Sequence, residues 1–192
     1  ATLGYLMERN GLTIFDAETN AVNGGSVRVF ITHKARGLKK SKNLLKLMAR
    51  ERRFDLYNPA TYIAFDKKIR SLATTIRSYL INEKKAKKTV IGLGASTKGN
   101  VLLQLFGIDK MILPYISEIN PAKINLRTLG TDIKLISDET ANKLNPSTKL
   151  VLPWYFKNEI VKREKPYLAQ GGKLLFPMPY PHLVGKNGEV NL

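Results

Sequence analysis

From Thr89 to Phe176 the sequence repeats one pattern: a short apolar run, a turn, then a stretch with helical spacing. Apolar runs at 89–93, 112–117, 131–136, 149–152 and 173–176 alternate with helical stretches at 100–106, 138–144 and 158–168. Short strands separated by helices fold as a largely parallel sheet with helices on both faces, because each crossover carries the chain back over one face. The expected fold class is therefore α/β, with a Rossmann-like, mostly parallel sheet flanked by helices over 89–179.

The region before Thr89 reads differently. Leu3, Leu6 and Met7 have helical spacing over residues 3–10, and Asn10-Gly11 ends that helix. Leu12 to Phe15 and Ser26 to His33 read as two strands joined by a loop at 20–25, an antiparallel pair. Residues 34–43 are basic and poor in apolar residues, a linker, and 43–54 reads as a short helix. Asn58-Pro59 then starts a long helix that runs to the lysines at 84–88, with Asn as its cap and Pro at its first position. The expected organisation is 1–33, 34–88, 89–179, and a tail at 180–192 read as a surface extension.

Composition narrows the function classes. With 43% hydrophobic residues the chain can bury a core, and no apolar run approaches the ~20 residues that span a bilayer. The start lacks the pattern of a secretory leader. There are no cysteines, so disulfides and thiolate metal sites are excluded within these residues, and a cytoplasmic location is the default. The net charge of +17 suits an anionic partner. The basic residues are spread along the chain, however, and no aromatic residues interleave with them, which weighs against nucleic acid.

The sharpest local feature is Gly92-Leu93-Gly94-Ala95-Ser96-Thr97-Lys98-Gly99-Asn100, between a strand and a helix. Ligands in open α/β sheets bind at that strand edge. A helix start offers unpaired N–H groups and partial positive charge, and Ser96, Thr97 and Lys98 add donors suited to phosphate or sugar hydroxyls. The pattern is not a P-loop, and it departs from G-x-G-x-x-G because its third glycine comes one residue late. A structural turn that binds nothing is the alternative account of this loop by itself. Glu118 closes the next strand, where an acidic residue in a dinucleotide-binding fold accepts from ribose hydroxyls; Lys123 lies just beyond. Gly25, Ser26 and Arg28 form a second candidate, with Arg28 as a phosphate clamp or as an internally paired surface residue. Trp154, after the 149–152 strand, could stack on a ring or fill the core. His33 and His182 read as surface histidines without partners at triad or metal-ligand spacing.

In combination these segments resemble the sugar C-methyltransferase family. The resemblance rests on G-L-G-A-S-T-K-G-N at 92–100, E-x-N-P-x-K at 118–123, L-G-T-D-I at 129–133, L-P-W at 152–154, and G-G-K-L-L-F-P-M-P at 171–179. Near the start, T-L-x-x-L-M-E-R-N-G-L and G-G-S-V-R are similar to the end of the family's methyl-donor domain. Asn23 stands where the family usually has His, and Tyr155 where it commonly has Asn.

The resemblance implies a methyl transfer from S-adenosylmethionine to a ring carbon of a nucleotide-linked keto sugar. It implies that this chain is the C-terminal part of such an enzyme, with 1–33 the closing helix and hairpin of the methyl-donor domain. The methyl-donor loop, the general-base segment and the zinc cysteines would lie in the remainder of the parent. The chain would then bind no S-adenosylmethionine or zinc, hold no catalytic residue, and be inactive by itself. It would contribute nucleotide-sugar contacts from Gly92, Gly94, Ala95, Ser96, Thr97, Lys98, Asn100, Glu118, Lys123 and Trp154. Gly25, Ser26 and Arg28 would approach from the opposite side. Two rivals stand beside this reading: a stand-alone NAD-type dinucleotide module and a basic nucleic-acid-binding protein.

Overall fold

Leu3, Leu6 and Met7 do fall on a helix, α1 (Thr2–Arg9), which closes at Asn10 as the chain turns through a left-handed Gly11. The computed structural model describes residues 1–192 as two compact units, Ala1–Asp66 and Lys67–Leu192. In the first unit β1 (Leu12–Asn20) and β2 (Ser26–His33) pair antiparallel along their whole length, with a bulge between Ile14 and Asp16. β1 runs five residues beyond the apolar run that marks it, because Asp16, Glu18 and Asn20 pair through their backbones opposite β2. Helix α2 (Lys42–Arg53) starts at Ser41, whose hydroxyl accepts from the Leu44 N–H at 3.1 Å. Ala17 and Leu44 are the buried apolar residues of this unit, and α1 buries none of its own.

Helix α3 (Pro59–Lys85) leads from the first unit into the second. Asn58 caps it as expected, its side-chain oxygen accepting from the Ala60 N–H at 2.9 Å. Leu72, Ile76 and Leu80 recur every fourth residue on one stripe and are buried. Tyr62 and Ile63, nearer the start of the helix, are exposed.

The second unit then alternates as read: β3 (Val90–Leu93), α4 (Thr97–Phe106), β4 (Tyr115–Glu118), β5 (Lys134–Ser137), α5 (Asp138–Lys143), β6 (Thr148–Val151), α6 (Lys157–Arg163), α7 (Lys165–Ala169) and β7 (Lys173–Phe176). The stretch at 158–168 is two helices, broken at Glu164, because Pro166 lacks an N–H and sets the start of a new turn. The residues at 180–192 do not form a loose extension. They add β8 (His182–Gly185) and β9 (Gly188–Asn191), a hairpin whose first strand pairs antiparallel with β7. Pro177, Pro179 and Pro181 hide this pattern in the sequence by separating β7 from β8. His182 is correspondingly a buried residue, stacked on the Phe176 ring at 5.2 Å, and not a surface one.

The result is a seven-stranded sheet in the order β5-β4-β3-β6-β7-β8-β9, parallel through β7. Adjacent residues point to opposite faces. Leu150 and Leu175 share a core with Ile76 of α3 and with Leu103 and Phe106 of α4, whereas Val151 and Leu174 pack with Ile160 of α6 and Leu168 of α7. No helix is long and apolar enough to cross a membrane.

The late third glycine of the 92–99 loop is explained by packing. A Cβ on Gly99 would lie 2.6 Å from the Leu152 Cβ, so α4 and the segment after β6 touch only because position 99 has no side chain. Gly99→Ala is expected to cost about 1–3 kcal/mol, read as a lower denaturation midpoint with an unchanged slope.

Candidate functional site

The chain leaves β3 for β4 on one side and returns to β6 on the other, so the strand order reverses at β3. A cleft of about 590 Å³ opens there, at the carboxyl ends of the strands. This is where the geometry of an open α/β sheet leaves room for a ligand. One wall is the turn after β3, the floor is the end of β4, and the other wall is the segment after β6.

Gly94 makes the first wall possible. Its φ is +78°, and a Cβ would stand 2.9 Å from the Pro153 ring. Ser96 caps α4 by accepting from the Gly99 N–H at 3.0 Å. The first N–H groups of such a helix have no partner within it and face outward as donors, with the Thr97 hydroxyl beside them in the cleft.

Glu118 does more for the loop than for a ligand. It is buried, and its carboxylate accepts from three backbone N–H groups: Ala95 at 3.0 Å, Ile119 at 2.9 Å and Asn120 at 2.9 Å. Lys123 sits 3.9 Å from the same carboxylate and donates to the Ala95 carbonyl at 3.0 Å. A carboxylate has about four acceptor sites, so most of this one is filled by the protein. Glu118 and Lys123 thus hold the turn at Ala95 from both its N–H and its carbonyl.

The other half of the cleft carries charge that the sequence did not advertise. Asp138 is half-buried at the start of α5 and lines the cleft; it accepts a hydrogen bond from the buried Ser117 hydroxyl. Burial raises its carboxyl above the ordinary value of 3.8, with the Arg163 guanidinium pulling the other way. Arg163, at the end of α6, also lines the cleft. Its Nε donates to Glu164 at 3.0 Å. Glu164 in turn accepts from the buried Lys149 ammonium at 2.7 Å, and that ammonium also donates to Asn142 at 3.1 Å. A buried ion pair therefore stands directly behind the arginine of the cleft wall. Tyr155, Phe156 and Glu159 complete the lining on that side.

The structure brings together Gly94, Ala95, Ser96, Thr97, Glu118 and Lys123 of the residues expected from sequence. Four others lie off the cleft. Gly92 is buried, and a Cβ there would meet Ile116 at 2.6 Å, so its glycine serves strand packing. Lys98 is not part of the lining, and its ammonium lies 4.7 Å over the Tyr155 ring. Asn100 has a buried side-chain oxygen without a hydrogen-bond partner. Trp154 packs against both main core clusters, while its neighbours Tyr155 and Phe156 reach the cleft. Gly25, Ser26 and Arg28 belong to the first unit. There Gly25 takes φ +125°, the Ser26 hydroxyl donates to the Val22 carbonyl at 2.9 Å, and Arg28 pairs with Glu18 across the hairpin at 3.6 Å. No group of three or more His, Asp or Glu side chains is placed to hold a metal ion.

Fold and cleft define a Rossmann-like domain with an open cleft at its switch point. The chain belongs to the C-methyltransferase C-terminal domain family, whose model matches residues 21–179. It is 30% identical over 189 residues to the C-methyltransferase NovU of Streptomyces niveus, a match that covers 98% of this chain and 45% of the relative. The chain thus spans less than half the length of that curated relative.

The raised Asp138 carboxyl has a consequence for stability. The folded protein holds this proton more tightly than the unfolded chain does, so the stability it adds is present below 3.8 and is lost as pH rises through the raised value. Asp138→Asn removes this dependence. The stability of the native protein relative to the variant is expected to fall as pH increases from about 3 to about 6, measured by chemical denaturation across that range.

Proposed function

We propose that this chain supplies the substrate-binding domain of an S-adenosylmethionine-dependent C-methyltransferase that acts on a nucleotide-linked keto sugar, and that the cleft at the β3 edge takes the nucleotide. The observation that carries the reading is the cleft itself, at the switch point of a domain from a C-methyltransferase family. Its volume of about 590 Å³ is in the range of small-molecule sites. The α4 start offers N–H donors and the Thr97 hydroxyl to a diphosphate. The state of Glu118 favours a deoxyribonucleotide: with three N–H groups on its carboxylate, it has little left for a 2′,3′-diol, which a thymidine nucleotide lacks.

The same observation bears on the methyl donor. S-adenosylmethionine supplies the methyl group in this family, and its adenosine diol needs a carboxylate with free acceptor sites at the second strand end. Glu118 occupies that place and is already satisfied, so the donor does not fit this cleft. In this reading it binds in a separate domain of the parent, to which residues 1–33 contribute their helix and hairpin. The exposed Leu3, Tyr5 and Leu6 of α1, which buries no residue of its own, support that assignment. The 192 residues by themselves are then expected not to transfer a methyl group from a labelled donor. The lack of cysteine suits a reducing, cytoplasmic setting.

The test is a calorimetric titration with a thymidine-diphosphate sugar beside S-adenosylmethionine and NAD, at two salt concentrations. Saturable binding of the sugar nucleotide, and of neither other ligand, is expected. Preference for NAD or S-adenosylmethionine, or no binding of the sugar nucleotide, would contradict the assignment.

A further inference from the structure

We infer that Asp138 and Arg163 read the base edge of the bound nucleotide, with Asp138 accepting a ring N–H and Arg163 donating to the neighbouring carbonyl. The inference rests on the nucleotide reading of the cleft and goes on to say which end of the ligand these two side chains meet.

Sheet order sets the direction in which a nucleotide lies. Where the phosphates meet the helix start after β3, the pentose falls beside the end of β4 and the base falls further out, beside β5. Asp138 is the first residue after β5 and lines the cleft. Ile119, just past β4, lines the same cleft and is 65% exposed, an apolar surface of the kind a ring face covers. Apolar contact for the face and polar groups for the edge thus occur together on the outer side of the cleft.

The two polar groups are complementary in kind. An ionised carboxylate only accepts, and a guanidinium only donates. The Ser117 hydroxyl occupies one carboxylate oxygen of Asp138. The Nε of Arg163 is engaged by Glu164, which the buried Lys149 fixes from behind. Its terminal nitrogens form no hydrogen bond or ion pair with the protein, so the fork that remains has a set position and open donors. A phosphate is the wrong occupant here, since Asp138 and Glu159 both line this side and would repel it. A neutral ring with a donor beside an acceptor, such as the N3–H and flanking carbonyls of thymine or uracil, satisfies both side chains.

The experiment compares thymidine diphosphate with its N3-methyl derivative on the intact protein and on Asp138→Asn and Arg163→Met, with inorganic pyrophosphate as the probe of the phosphate end. N3-methylation is expected to weaken binding to the native protein at least about tenfold, the loss of one charge-assisted hydrogen bond. Asp138→Asn should weaken thymidine diphosphate to a similar degree and lose little more on methylation. Arg163→Met should weaken both nucleotides. Pyrophosphate should bind all three proteins alike, which also reports that the variants are folded. Equal binding of the two nucleotides to the native protein would overturn the inference, as would a methylation penalty that persists in Asp138→Asn. If pyrophosphate and the sugar nucleotide bind while the base-edge effects are missing, only the base-reading role fails. If no nucleotide binds at all, the nucleotide reading fails with it.

Discussion

The cleft depends on one carboxylate. Glu118 sits at the end of β4, buried, and accepts from the N–H groups of Ala95, Ile119 and Asn120. These three donors belong to two loops that leave neighbouring parallel strands, and no sheet or helix bond would otherwise pair them. By joining the loops the carboxylate fixes both the turn after β3 and the floor of the cleft. Lys123 completes the arrangement by donating to the Ala95 carbonyl. The cleft is therefore shaped mainly by backbone held by a buried charge, and charged hydrogen bonds of this kind are worth about 1.5–3 kcal/mol each. The charged side chains that remain open on its wall, Asp138 and Arg163, lie on the other side.

A second buried charge pair serves the opposite wall. Lys149 and Glu164 are both nearly inaccessible, and a pair of that kind adds little net stability compared with apolar packing. Its position explains its presence better than its energy does. It anchors Arg163, which lines the cleft, and ties the end of α6 to β6. The β8–β9 hairpin extends the same side of the sheet. There Lys157 meets the ring nitrogen of His182 at 2.9 Å and the Glu189 carboxylate at 2.7 Å.

Much of this was legible in the sequence, and what was not has physical causes. The alternating runs after Thr89 gave the sheet because a strand buried on both faces must be apolar, as Val90, Ile91 and Leu93 are. The Asn58 cap could be read from residue type, since few side chains fill that backbone position, whereas the Ser96 cap was hidden inside the glycine turn and α4 starts at Thr97, three residues before the helical stretch at 100–106. The glycine loop pointed to the strand edge where the cleft opens but not to which glycine does what: Gly94 allows the turn, whereas Gly92 and Gly99 admit Ile116 and Leu152. Trp154 was drawn to the cleft by its position after β6. The chain forms a short 3-10 turn there, which leaves Trp154 on the core and brings Tyr155 and Phe156 forward. Asp138 had a faint signal, an acidic residue just past a strand end. Arg163 had none, because helix periodicity does not say which surface arginine lies over a cleft. The tail reads as an extension in the sequence because Pro177, Pro179 and Pro181 separate it from β7, and proline is excluded from strand interiors but not from the turns between strands.

The central claim, that Glu118 organises the cleft through the backbone, is tested most directly by amide hydrogen exchange at Ala95, Ile119 and Asn120 in the native protein and in Glu118→Ala, which removes the acceptor altogether. The account expects all three amides to be protected in the native protein. In the variant they should exchange rapidly while Ile91, Ile116 and Leu150 in the sheet stay protected. Fast exchange at these amides in the native protein, or unchanged protection in the variant, would contradict it.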